Sequence, residues 1–170
     1  MPNKSAVLVA ETSKDKAADT PIVQILQKQV ANAFVLYSNY KHYHWQTHGP
    51  MFRDLHLMFD EFATAVLASL DEFAERIRMI GPDPIFSPHQ VLDTASVEVS
   101  RHGKKMREMI QEADDNLLIV IREMRHGATV AEEAEDPGSV DVFSRLVQVH
   151  EKHEWWLRDI LKMDDGFFRQ

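Results

Sequence analysis

The chain contains no cysteine, which removes disulfide scaffolds, thiolate metal sites and cysteine nucleophiles from consideration. Any metal must then rest on histidine, carboxylate, carbonyl or water. Glycine and proline are scarce, six and seven residues of 170, and they cluster at a few places, which favours long uninterrupted elements over many short strands. No stretch approaches the roughly 18 to 20 consecutive apolar residues of a membrane helix. The short apolar patch in MPNKSAVLVAETSKDK at the N-terminus does not reach the length of a secretory signal, so a cytoplasmic protein is expected. Basic charge is also short: 19 Lys and Arg against 27 Asp and Glu give a net charge of −8, opposite to the basic footprint on which nucleic-acid binding rests. What is present suits a single domain with a real core, 44% hydrophobic and 27% charged.

Residues 1–20 set Lys4, Lys14 and Lys16 against Glu11, Asp15 and Asp19 and show no helical apolar period, so they read as a mobile tail of roughly zero net charge. Pro21, after the capping candidates Asp19 and Thr20, opens a first helix that the spacing of Ile22, Leu26, Ala33, Leu36 and Tyr40 carries to about His48, where Gly49-Pro50 stops it. A second helix runs from near Met51 to Gly81-Pro82. Its stripe of Leu55, Phe59, Phe62, Val66, Leu70, Phe73, Ile77 and Ile80 tracks a period of 3.6. Residues 81–95 hold three prolines and read as a long connection with room for one short helix. A third helix is predicted over 96–127, ended by Gly127, then an acidic segment over 128–138, then a fourth helix over 139–163 with the tail 164–170 behind it. Four amphipathic helices joined by one long crossover describe an all-α, ferritin-like four-helix bundle over residues 21–163, with the crossover and its short helix between the second and third helices. No Gly-rich phosphate loop and no G-x-S-x-G competes.

The second helix carries two pairs with chemical content. His56 and Asp60 stand four residues apart, as do Asp71 and Glu75, so each pair shares a helix face. Asp60 and Asp71 are 11 residues apart, about three turns, which places both pairs on one side but ~16.5 Å apart along the axis. No single ion spans that. A second copy laid antiparallel across a two-fold axis would face the His56/Asp60 pair of one chain with the Asp71/Glu75 pair of the other, twice over. His44, one turn before the Gly49-Pro50 corner, can reach the His56 end of the second helix. Two imidazoles and three carboxylates suit iron(II), with zinc a competitor on raw affinity. On spacing alone, packing histidines and carboxylates on a helix flank remain an open alternative, and iron is not specified.

His44-Trp45, the Gly49-Pro50 corner, Phe52, Leu55-His56, Asp60 and the run from Asp71 through Ala74-Glu75-Arg76-Ile77 to Gly81 resemble the Dps-type miniferritins, the DNA-binding proteins of starved cells, and EKHEWWL in the fourth helix is similar too. The resemblance covers about residues 21–163. It implies a hollow shell of 12 subunits that oxidises iron(II) and stores ferric mineral, with hydrogen peroxide as the preferred oxidant, so protecting against oxidative stress. It implies ferroxidase sites at the two-fold interfaces, His44, His56 and Asp60 from one subunit and Asp71 and Glu75 from its neighbour, with Trp45 beside them in a redox or a packing role. Asp136 and Asp141 resemble positions lining an iron-entry pore, although a solvated acidic loop gives the same sequence. The tails differ from those of the lysine-rich DNA binders. Twelve copies at −8 would carry about −96 before metal is bound, so DNA binding is expected to be weak or absent, and nucleoid association with it. A DNA-compacting shell with incidental metal, and a zinc or manganese scaffold without turnover, are the competing readings. His42 and His48 fit a secondary metal contact or plain surface, His150 and His153 are expected to hydrogen-bond within the bundle, and Glu123-x-x-His126 lacks the second such motif that a one-chain ferritin site needs.

Overall fold

Five helices and no strand make up residues 20–162, the part of the chain that the computed structural model describes. Helix α1 (Pro21–Gln46) starts where Thr20 accepts a hydrogen bond from the Val23 amide and Pro21 takes the first turn. Helix α2 (Phe52–Ile80) follows a tight corner in which Gly49 has φ +84, a conformation natural to glycine. Gly81, at φ +133, ends α2 by returning its amide to the Ile77 carbonyl. Helix α3 (Pro88–Thr94) is the short element of the crossover, held by a capping box between Ser87 and Gln90. Helices α4 (Met106–Glu133) and α5 (Pro137–Leu161) complete the bundle.

Antiparallel α1 and α2 form one hairpin, α4 and α5 the other. Gln29 meets Glu123 while Tyr43 meets Glu112, so α1 and α4 run in opposite directions and α2 and α4 in the same one, as a long crossover allows. Between them lie Leu26, Leu36, Tyr40, Phe59, Phe62, Phe73, Leu117, Met124 and Phe143, all shielded from solvent. Burial of each such side chain stabilises by roughly 1.5–3 kcal/mol before entropy is counted.

Two boundaries differ from the sequence reading. The third bundle helix begins at Met106, not near residue 96, and runs through Gly127 to Glu133. Residues 95–105 instead lie along α1, where side-chain amides serve as their backbone partners. Asn32 Oδ1 accepts from the Ser96 amide at 2.9 Å, Asn39 Oδ1 from the Ser100 amide at 2.8 Å, and Asn39 Nδ2 donates to the Glu98 carbonyl at 2.8 Å. Gln27 does the same at the start of the crossover, with Asp83 and Ile85. Gly103, at φ +90, turns the chain into α4. Gly127 does not stop α4; a Cβ there would lie 2.6 Å from the Phe143 ring, so glycine is what lets α5 pack this closely. The expected tails over 1–20 and 164–170 fall, but for Thr20, outside the described residues.

Candidate metal centre

The Gly49-Pro50 corner folds the last turn of α1 against the first turns of α2, and His44 and His56 meet there. Their rings stack with centroids 3.6 Å apart and 20° between planes. His44 Nδ1 lies 2.7 Å from the His56 carbonyl and His56 Nδ1 lies 2.9 Å from the His44 carbonyl. A carbonyl only accepts, so each Nδ1 carries a proton, which leaves Nε2 as the ring nitrogen that can face a metal. This is the tautomer a metal-binding imidazole needs, fixed before any metal arrives. Phe52 stacks on the far side of His56 at 5.2 Å.

Asp60 lies one turn beyond His56. Its Oδ1 receives Lys41 Nζ at 2.6 Å, and Lys41 foremost, with His44 and His56 behind it, holds the carboxyl below its ordinary range. Lys41 also sits 6.0 Å over the Trp45 ring. Trp45 is 68% exposed. Lys41 was not singled out by the sequence, although its place one turn before His44 was a usable signal.

Asp71 and Glu75 are exposed on the same helix and have no hydrogen bond or ion pair among the described residues. Their neighbours differ: Glu72 pairs with Arg145 and Glu61 with Lys152. Within one chain, no group of three histidines or carboxylates among the described residues gathers around a single point. The structure thus brings His44 and His56 together with Asp60 a turn away, and leaves Asp71 and Glu75 separate and unpartnered.

Next to this cluster, Tyr43 is fully buried and donates from its hydroxyl to Glu112 Oε2 at 2.5 Å, while Lys104 Nζ reaches Glu112 Oε1 at 2.6 Å. Burial alone would raise the Glu112 carboxyl, but the hydrogen bonds from Lys104 and Tyr43 outweigh it and bring it below the ordinary value. The partner lies 69 residues away, so sequence reading missed the pair.

The remaining sequence candidates divide. Asp136 is committed twice: it caps α5 through the Ser139 amide and hydroxyl, and it meets Arg76 at 2.5 Å. Desolvation raises its carboxyl, and those partners more than reverse that. Asp136 also lines the depression that holds Asp141, Glu132 and Glu135. Asp141 is exposed beside Glu132 and Glu135 in one shallow depression, with Arg145 on its Oδ2 at 3.0 Å. His42 faces His102 at 6.2 Å rather than His44, and His48 only touches the Gln46 carbonyl. His150 and His153 do not hydrogen-bond as expected. Both are buried, neither ring nitrogen of His150 nor Nδ1 of His153 has a partner, and His153 stacks on Phe62 at 3.8 Å. Burial pushes them down to about 4 and about 3. Glu123 accepts from Asn32, Gln29 and Ser96, a structural role that settles the E-x-x-H pattern.

The family of ferritin-like domains matches residues 23–166. The chain is 32% identical over 141 residues to a DNA protection during starvation protein of Brevibacillus brevis, covering 83% of this chain and 95% of that one. The Dps structure from Thermosynechococcus elongatus superposes with a TM-score of 0.85 at 41% identity, over 95% and 99% of the two chains. A Dps protein of Vibrio cholerae, described as a member of a broad superfamily of ferritin-like diiron-carboxylate proteins, gives 0.79 at 30% identity, over 89% and 92%.

Proposed function

From the membership of this chain in the ferritin-like family, as a Dps-type miniferritin, we propose that it oxidises iron(II) with hydrogen peroxide at sites shared between two subunits and stores the iron(III) as mineral inside a hollow dodecamer. Iron is the substrate and cargo. The observation that carries the reading is the separation of opposites along α2: at one end His56 and, across the corner from α1, His44, with their Nδ1 protons tied to carbonyls, and further along the helix two partnerless carboxylates, Asp71 standing 11 residues beyond Asp60. Two antiparallel copies complete each half with the other's. His44, His56 and Asp60 then hold the metal from one side, and Asp71 and Glu75 from the other. The carboxylates stabilise the higher charge of iron(III), and nitrogen with oxygen ligation suits iron(II). Zinc competes for the same atoms.

Lys41 is the resident cation on Asp60 and must move off when iron binds. Asp141, with Glu132 and Glu135, forms an acidic approach that concentrates cations. Protection of DNA follows from removing iron and peroxide together rather than from wrapping it, because the net charge of −8 per chain repels phosphate. No described helix is long and apolar enough to cross a membrane, which agrees with a cytoplasmic place of work.

Two measurements test this. Iron(II) oxidation should be at least tenfold faster with protein and peroxide than in buffer with peroxide; equal rates reject the reading. One variant lacking His56 and Asp60 and another lacking Asp71 and Glu75 should each be inactive, and shells assembled from both should regain activity, since each interface between unlike subunits holds one intact site of its two. Folded mixed shells without activity reject the two-subunit site.

A further inference from the structure

Tyr43 immediately precedes His44, so their Cα atoms are ~3.8 Å apart. Phe59 immediately precedes Asp60, and its ring lies 5.2 Å from that of Tyr43. Two of the proposed iron ligands are therefore next in the chain to the two members of one buried aromatic pair. The Tyr43 ring is closed to solvent, its hydroxyl hydrogen-bonds a carboxylate at the short distance of 2.5 Å, and that carboxylate is kept charged by Lys104 on its other oxygen at 2.6 Å. Of the three tyrosines in the chain, all on α1, Tyr40 is equally buried but its hydroxyl has no partner. Tyr37 has no hydrogen bond among the described residues. Tyr43 alone has a base in place to take its proton.

We propose that Tyr43 is an electron donor to the iron site, with Glu112 as the acceptor of its proton. The proposal rests on the ferroxidase reading. Two iron(II) ions supply both electrons that peroxide needs. When only one is bound, the one-electron reaction would release a hydroxyl radical. With Tyr43 supplying the second electron, peroxide accepts two electrons and two solvent protons, its O–O bond breaks, and it leaves as two waters. Iron(II) becomes iron(III). The phenolic O–H bond of Tyr43 breaks, its proton passes to Glu112, and a neutral tyrosyl radical and a neutral carboxylic acid remain. The closed aromatic surroundings keep that radical from solvent. Its lost electron can be restored by the next iron(II) to arrive.

The intact shell, loaded with less than one iron(II) per site and mixed with peroxide without oxygen, should give a tyrosyl signal by freeze-quench electron paramagnetic resonance. Tyr43→Phe should lower that signal at least tenfold and raise spin-trapped hydroxyl radical. Tyr37→Phe and Tyr40→Phe should keep the signal. A tyrosyl signal that survives Tyr43→Phe, or its absence from the unaltered protein while iron(III) forms, overturns the proposal. If no iron(III) forms at all, the ferroxidase reading has failed instead. The tyrosine–carboxylate couple is then tested without iron, by flash oxidation of the metal-free protein with a ruthenium(III) tris-bipyridine oxidant. Glu112→Gln should slow tyrosyl formation at least fivefold and abolish its solvent deuterium effect; unchanged rates overturn the couple.

Discussion

At the scale of single residues, charge and burial decide what each group can do. Lys41 on Asp60 Oδ1 is a cation that competes with a metal at the proposed site. Lys41→Gln should tighten zinc(II) or iron(II) binding by roughly three- to tenfold, measured by calorimetry in the absence of oxidant, since the ion pair it removes is partly exposed and of modest strength. Weaker binding would show that Lys41 assists the site. His150 and His153 act on stability. Their folded values, about 4 and about 3, lie below the ordinary value near 6.5, so between these limits the unfolded chain binds more protons than the folded one. Stability is then whole above about pH 6.5 and falls as pH drops, by up to about 1.4 kcal/mol per unit for each histidine. Asp114, raised to about 6 mainly by burial and then by Glu154, works the other way below that pH and offsets part of the loss. His150→Leu should therefore flatten the decline in urea midpoint between pH 7 and pH 5; an unchanged slope would show that His150 is not the cause.

At the scale of elements, the corner and the stripe of α2 were legible because both are local. The Gly49-Pro50 stop, the 3.6-residue period and the i,i+4 pairs lie within one stretch of chain, and they placed His44 and His56 within reach of each other. The start of α4 was not legible. No breaker stands between Ala95 and Arg101, and what decides is Asn32 and Asn39, about 60 residues earlier in the chain. Gly127 misled for a related reason: a glycine is a fair stop signal, but here its missing side chain makes room for a ring from α5. Gly127→Ala should gain up to about 1 kcal/mol of helix propensity and lose more to the clash with buried Phe143, for a net loss of roughly 1–3 kcal/mol. Phe143→Leu in the same chain should recover part of it. Thermal unfolding of the single and double variants checks this, and a stabilised Gly127→Ala would refute the close-packing account.

At the scale of the whole molecule, the proposed site lies between copies, which would explain why its ligand types were readable and its geometry was not. One chain shows unpartnered Asp71 and Glu75 and a half-built histidine end, and neither shows what completes it. The charge of the assembly bears on its partners in the same way. With −8 per chain, no retardation of duplex DNA is expected in a gel at ~150 mM salt, and strong retardation would restore the DNA-compacting reading.

The amide clasps between α1 and the crossover bear on how the chain folds without tangling with a second copy. A connection of 25 residues, 81–105, is long enough to carry α4 and α5 onto a neighbour's hairpin, the exchange of parts by which helical proteins dimerise wrongly. Gln27, Asn32 and Asn39 grip this strap at its beginning and towards its end, and each grip is made to α1 of the same chain. The strap is thereby tied to its own hairpin near both ends, which favours closure within one chain over exchange with a second copy.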